Sequence, residues 1–192
     1  ALAQNYEPKL ASFGENVTET WYASRKLDGV RCLAVVDIEG NCRLYSRMGK
    51  EFTTLDKVKQ AIEATGVINT VFDGEICILD KDGNEDFQSV MKEIRRKDHQ
   101  IENPSFMIFD MLSGEEFNNK KGSHSLSLRL WKLRTFIGSL EQLFLEKNKN
   151  TLRYLYQAEI TDERHFDKWA HEATDNNWEG FMLRKDVGYE GK

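Results

Sequence analysis

The stretch from Trp21 to Ser46 constrains the fold most. An aromatic-rich run (Trp21, Tyr22) leads to Lys26, then to an Asp-Gly turn at Asp28 and Gly29. Two strand-like runs follow, Cys32 to Val36 and Cys42 to Ser46, joined by the hairpin signal Ile38-Glu39-Gly40-Asn41. Lys26 therefore stands at a strand end rather than on a solvated helix face. The glycine beside it lets another backbone or a phosphate approach closely.

The rest of the chain mixes strands with single helices. Thr54 to Thr65 reads as a helix, with Leu55, Val58 and Ile62 at helical offsets and Gly66 as its stop. Thr70 to Leu79 reads as a strand, followed by the turn Asp80 to Gly83. Phe87, Val90, Met91 and Ile94 give a short amphipathic helix, and Pro104 opens a strand over Ser105 to Leu112. A loop from Ser113 to Ser125 leads into a helix capped by Ser127, with Leu130, Leu133, Ile137 and Leu140 as its apolar stripe. Leu152 to Ile160 reads as one strand, Thr161 caps a helix carrying Phe166 and Trp169, and Glu179 to Lys185 is the last strand. Residues 1–20 read as an irregular segment packed through Leu10 and Phe13. This order predicts an α+β fold of largely antiparallel sheets with helices outside, not a doubly wound parallel sheet.

At 192 residues, with 40% hydrophobic and 31% charged residues, the chain suits one domain with an ordinary core. No apolar run reaches membrane-spanning length. The three cysteines, Cys32, Cys42 and Cys77, lack metal-site spacing and read as reduced thiols in strands, which suits a cytoplasmic protein. The four histidines form no metal-ligand pattern. A net charge of -5 argues mildly against a nucleic-acid partner, but the local field matters more than the total. Basic clusters stand at Lys92 to Lys97, at Lys120 and Lys121, and at Arg129, Lys132 and Arg134; each alone reads as a solvated face.

Five short motifs carry candidate chemistry. In KLDGVR, Lys26 is a candidate nucleophile, which requires surroundings that favour its neutral amine; for K-x-D-G alone a surface lysine beside a turn is commoner. In SRMGK, Arg47 leaves a strand beside a glycine, where it can reach a phosphate or stand exposed; Lys50 ends the motif. In FDGE, Asp73 and Glu75 share one strand face and suit a divalent cation or sugar hydroxyls, or a solvent-facing edge. In FMIFDML, Phe109 can stack on a base or fill the core, and Asp110 is the single acid. In EGFMLRK, Glu179 and Gly180 start an apolar strand ending in Arg184 and Lys185, a composition suited to metal and phosphate. What raises these above chance is their occurrence in one order, each at a strand or strand end.

Taken together, these five motifs resemble those of the covalent nucleotidyltransferases, and among them the ATP-dependent DNA ligases, especially small phage and viral ones; the resemblance runs from about Tyr22 onward. It implies a nucleotidyltransferase (ATP-grasp-like) core over 21–192, in a bacterial or phage-infected cell. It further implies that Lys26 attacks the α-phosphate of ATP to form AMP-lysine, with AMP passing to the 5′-phosphate of nicked double-stranded DNA and the 3′-hydroxyl sealing the strand. By the same resemblance Arg31 and Arg47 contact nucleotide or nick phosphate, Glu75 holds the ribose, and Phe109 stacks on adenine, with Ser24 and Met182 also at the base. Asp28 supports the lysine, Asp73 and Glu179 bind Mg²⁺ or Mn²⁺, and Lys50, Arg184 and Lys185 meet DNA or phosphate. The expected state is a monomer.

The family's last lysine-rich motif and the OB-fold domain after it are not found, so the chain is expected to be a core cut from a longer ligase. An RNA ligase of the same superfamily and a non-catalytic nucleotide- or nick-binding fragment are the competing readings. Sealing of nicked DNA against nicked RNA separates the first, and covalent labelling by ATP the second.

Overall fold

The computed structural model describes residues 20–190. The expected packing of Leu10 and Phe13 lies outside these residues, as does Lys192.

Two sheets carry the architecture. The larger has five strands in the order β3-β2-β4-β5-β6. β2 (Val30–Val36), β3 (Cys42–Ser46), β4 (Thr70–Ile78) and β5 (Pro104–Ser113) pair antiparallel, and β6 (Leu152–Tyr154) joins β5 in parallel. The smaller has the order β7-β1-β8, with β1 (Trp21–Arg25) antiparallel to both β7 (Ala158–Ile160) and β8 (Phe181–Lys185). The predicted α+β class with mostly antiparallel pairing holds.

Strand alternation sorts side chains to opposite faces of the large sheet. Cys32, Ala34, Val36, Phe72, Ile76, Phe106 and Ile108 enter the main core. α1 (Asp56–Ala64), α2 (Phe87–Glu93) and α4 (Leu126–Gly138) cover that face through Val58, Ile62, Val90 and Leu133. The opposite face carries Arg31, Asp73 and Glu75 toward the small sheet. Behind the small sheet, α6 (Glu163–Asp175) packs Phe166 and Trp169 against Ala23, Ile160, Phe181 and Leu183.

Several sequence expectations change. The run Leu152 to Ile160 is two strands, one in each sheet, because Leu155-Tyr156-Gln157 carries the chain across the gap between them. Helix α4 is capped by Ser125, whose hydroxyl accepts from the Leu128 N–H, not by Ser127. Ser127 instead donates its N–H to Asp186, at 2.7 Å. Asp162, not Thr161, caps α6 by accepting from the His165 N–H. The loop after β5 contains α3 (Gly114–Asn118), and α5 (Gln142–Asn148) precedes β6; both are too short to leave a periodic signal. In α2, Val90 is buried whereas Met91 is exposed.

Gly29 shows what its turn requires. A β-carbon there would lie 2.5 Å from the Ile76 carbonyl oxygen and 2.7 Å from Cys77 Sγ. The close approach is to strand β4, so the connection between β1 and β2 lies flat on that strand. Gly29→Ala is expected to push this connection outward and cost about 1–3 kcal/mol, by analogy with overpacking in a core. Thermal denaturation checks it, as a lowered Tm.

Candidate functional site

The site lies between the two sheets and is built by strand ends. Lys26 leaves β1 with its backbone N–H bonded to the Gly180 carbonyl just before β8, at 3.3 Å. Its side chain is exposed, and Nζ meets Glu179 Oε1 at 2.8 Å. The first and last sequence motifs thus touch directly, 153 residues apart in the chain. Asp28, also exposed, lines a cavity of 310 Å³ together with Lys26, Glu85, Trp178 and Glu179.

Arg31 and Asp73 form a bidentate pair. Arg31 Nε donates to Oδ1 at 2.6 Å and its terminal nitrogen donates to Oδ2 at 2.5 Å. Asp73 is only 1% exposed, and Tyr189 donates to its Oδ2 at 3.3 Å. Burial works against the charge on Arg31, but the bond and the charge of Asp73 outweigh it and raise the guanidinium above its ordinary value. Asp73 is therefore the partner of Arg31, and a metal ion placed on it would sit against that guanidinium. Glu179, the other expected metal ligand, is paired with Lys26. Among the described residues no three Asp, Glu, His or Cys side chains converge to hold a metal.

Glu75 stands opposite Arg31 in the β2–β4 register. Its carboxyl is raised to about 7: burial is the chief cause, Arg184 and Arg31 pull against it, and Asp73 and Asp28 add to it. Its Oε2 is buried with no hydrogen-bond partner among the described residues. Such an oxygen is an acceptor waiting for a donor.

A bulge turns Phe109 into the site. Asp73 pairs with Asp110 but Gly74 pairs with Ile108, so Phe109 is the extra residue on β5. Gly74 is required here: a β-carbon would lie 2.7 Å from the Phe106 ring and collide with the Met107 carbonyl. The extra residue brings both Phe109 and Asp110 to the site side, where simple alternation would separate them. Phe109 packs with Leu27, Cys77 and Leu155. The Arg184 guanidinium lies 4.4 Å from its ring centre and that of Arg31 5.3 Å.

Ser24 and Met182 are register partners across β1 and β8, on the face shared with Arg184. Ser24, expected at the base, is fully buried and accepts a 2.6 Å hydrogen bond from Arg184. Burial pulls the Arg184 guanidinium below its ordinary value, against the acids around it. Lys185 falls on the opposite face, 5.2 Å from the Trp21 ring centre, and so points away from the cleft where phosphate contact was expected. Arg47 and Lys50 stand exposed after β3, at the sheet edge. Among the described residues neither side chain joins the hydrogen bonds and ion pairs of the cluster.

The roles of Arg129, Arg25 and Gln157 escaped the sequence reading. Asp110 is buried with Arg129, which donates to it from Nε at 2.8 Å and from a terminal nitrogen at 3.1 Å. Arg129 is 4% exposed and not part of a basic surface. Arg25 pairs with Glu85 at 2.5 Å and lies over Trp178, flanking Lys26. Gln157 donates to the Phe109 carbonyl at 2.7 Å. A lone acid in an apolar strand was the one available signal, since it demands a buried partner.

Comparison with known proteins decides the family. The family model for the ATP dependent DNA ligase domain matches residues 1–191. The chain belongs to the ATP-dependent DNA ligase domain family. It is 31% identical over 106 residues to the multifunctional non-homologous end joining protein LigD of Pseudomonas aeruginosa, a match spanning 54% of this chain and 12% of that protein. The solved structure Pmar-Lig_Pre superposes with a TM-score of 0.77 at 23% identity, over 93% of this chain and 41% of that one. The ATP-dependent DNA ligase of bacteriophage T7 in complex with ATP superposes with a TM-score of 0.69 at 15% identity, over 94% and 64%. These structural likenesses establish that the two-sheet core is the ligase nucleotidyltransferase fold. The ligase domain spans less than half of both LigD and Pmar-Lig_Pre. Among its described residues no helix is long and apolar enough to cross a membrane.

Proposed function

We propose that this chain is the self-adenylating core of a ligase that seals nicked double-stranded DNA, acting as a monomer in the cytoplasm. The observation that carries the reading is the junction of Lys26 with Glu179, with Leu27 next in the chain packed on Phe109, whose ring lies under the Arg31 and Arg184 guanidiniums. The three buried free thiols suit a reducing compartment.

ATP enters between the sheets. Its adenine takes the ring of Phe109, with Met182 at its edge, as Arg184 moves off. A ribose hydroxyl donates to the unpaired Oε2 of Glu75. The released Arg184, with Arg31, meets the phosphates, for which bidentate guanidiniums are suited. Lys26 Nζ passes a proton to the Glu179 carboxylate, turns from it and attacks the α-phosphorus with the lone pair so freed, the second proton leaving to solvent as the bond forms. An N–P bond forms, the bridging P–O bond breaks, and pyrophosphate leaves with the electron pair. AMP then passes to the nick 5′-phosphate, and the 3′-hydroxyl displaces it. Each step is an in-line displacement, so positioning and charge neutralisation supply most of the rate. Mg²⁺ or Mn²⁺ would supply further neutralisation when bound, with Glu179 as the carboxylate free to turn toward it. Asp28 borders Lys26, and Arg47, Lys50 and Lys185 offer outer charges to DNA.

The test is incubation with α-labelled ATP followed by denaturing electrophoresis and a nick-sealing assay. An acid-labile label on the chain and sealing of DNA are expected. No label sinks the enzyme reading, and sealing of RNA alone sinks the substrate.

Glu75 gives a pH dependence. Its folded carboxyl titrates near 7, above the ordinary carboxylate range. The stability it contributes is full below its unfolded value and is lost as pH rises through about 7. Nucleotide binding runs the other way, because only the ionised carboxylate accepts from the ribose at both oxygens. ATP affinity is expected to fall as pH drops from about 8 to 6, and Glu75→Gln to flatten that profile. Titration of binding across this range checks it.

A further inference from the structure

Gln157 holds an unused acceptor beside the backbone of Phe109. It lies in the segment that crosses from one sheet to the other, where the Leu155 N–H is bonded to the Ile108 carbonyl at 2.8 Å. Gln157 is 6% exposed, and its Oε1 is buried with no hydrogen-bond partner. The amide cannot be turned round to relieve this. Its nitrogen lies 2.7 Å from the Phe109 carbonyl oxygen, and only the NH₂ group can donate there. The carboxamide is thus locked with its acceptor unspent. Ala158 is opposite Ala23 in the β1–β7 register, so Gln157 is one step further along, beside Ser24. An acceptor in this position costs free energy unless a donor arrives.

We infer that Gln157 selects the nucleobase: its Oε1 accepts a hydrogen bond from the exocyclic amine of the adenine stacked on Phe109. This rests on the nucleotide-binding reading above and adds the residue that distinguishes ATP from other purine triphosphates. Adenine presents an amine donor at its sixth ring position. Guanine presents a carbonyl there, which would set lone pairs against lone pairs. A purine without any substituent leaves the oxygen as it is now. Sites built to bond a substrate N–H reject analogues lacking it, because the buried partner is left unpaired.

The test measures binding of ATP, GTP and purine riboside triphosphate to the full chain by calorimetry, in native protein and in Gln157→Leu. Native protein is expected to bind ATP at least about tenfold tighter than either analogue. Gln157→Leu is expected to bring ATP and purine riboside triphosphate within about twofold of each other. Gln157 also anchors the Phe109 backbone, and loss of that anchor weakens all three ligands together without changing their ratio. An unchanged ratio of ATP to purine riboside triphosphate therefore overturns the inference. Gln157→Glu, which keeps an acceptor and loses the anchor, is expected to retain the ATP preference, and it serves if the leucine variant fails to fold. A native ratio near one overturns the inference by itself. If Lys26 still takes label from ATP in that case, the ligase reading stands; if native protein neither binds ATP nor takes label, both fail.

Discussion

Lys26→Ala is expected to remove all covalent labelling by ATP while leaving the fold intact. The lysine is exposed, and its Nζ contact with Glu179 is a surface ion pair worth about 0–1 kcal/mol. Its backbone N–H to the Gly180 carbonyl survives the substitution. The Tm should therefore move by about 4 °C at most, on the order of 2–4 °C per kcal/mol for a chain of this size. The chemical loss is total, because among the described residues the cavity at Lys26 is lined by no other lysine. Lys26→Arg is expected to fail as completely, since a guanidinium stays protonated and has no lone pair to offer. Glu179→Gln separates two roles of the same contact. Removing its charge removes the partner that holds the ammonium, yet it also removes the exposed carboxylate in contact with the nucleophile. A slower labelling rate in Glu179→Gln, with ATP affinity preserved, assigns Glu179 to the chemical step. Single-turnover labelling over a range of ATP concentrations distinguishes this from a loss of affinity.

The sequence carried the elements on which the site is mounted more fully than the contacts inside it. Lys26, Arg31, Glu75, Phe109 and Glu179 were legible because each stands at a strand or strand end, in an order that chance does not supply. The fold class was legible for a related reason: a hairpin over Cys32 to Ser46 and separated long strands demand antiparallel pairing. What stayed hidden depended on partners far apart in the chain. Asp73 and Glu75 share a face, as period two requires, but that Asp73 is spent on Arg31 is a fact of register between β2 and β4. The bulge at Gly74 cannot be read from alternation, and without it Phe109 and Asp110 belong to opposite faces. Gln157 gave no signal, because the crossing between sheets looked like the interior of a single strand. Arg129 was misleading: three basic residues within a stretch of six suggest a solvated face, and helical spacing hides which of them turns inward.

Arg129→Ala is expected to cost more stability than any other single change considered, about 3–5 kcal/mol, the usual result of stripping one partner from a buried ion pair. That is a large share of the total stability of an ordinary domain. Arg129 does more than neutralise Asp110. One terminal nitrogen donates to the His124 carbonyl at 2.7 Å and the Val187 carbonyl at 2.8 Å, so helix α4, strand β5 and the segment after β8 are pinned by one side chain. Burial already raises the Asp110 carboxyl above its ordinary value, and Arg129 is what pulls it down. Without the guanidinium the carboxyl rises further. The sign follows: the penalty is absent below the unfolded value of about 4 and grows as pH rises through the folded one. The variant should lie closest to the native protein in stability near pH 4 and furthest from it near neutrality. Asp110→Asn in the Arg129→Ala background should recover part of the loss at neutral pH and remove its pH dependence. Full recovery is not expected, since the His124 and Val187 carbonyls still lack their donor. Denaturant unfolding of the two single variants and the double variant at pH 4 and pH 7.5 forms the decisive cycle. Equal losses at both pH values would mean that packing, and not the stranded charge of Asp110, sets the cost. Because Asp110 adjoins Phe109 on the bulge, the same cycle read by ATP affinity reports whether this clamp also holds the base platform in place.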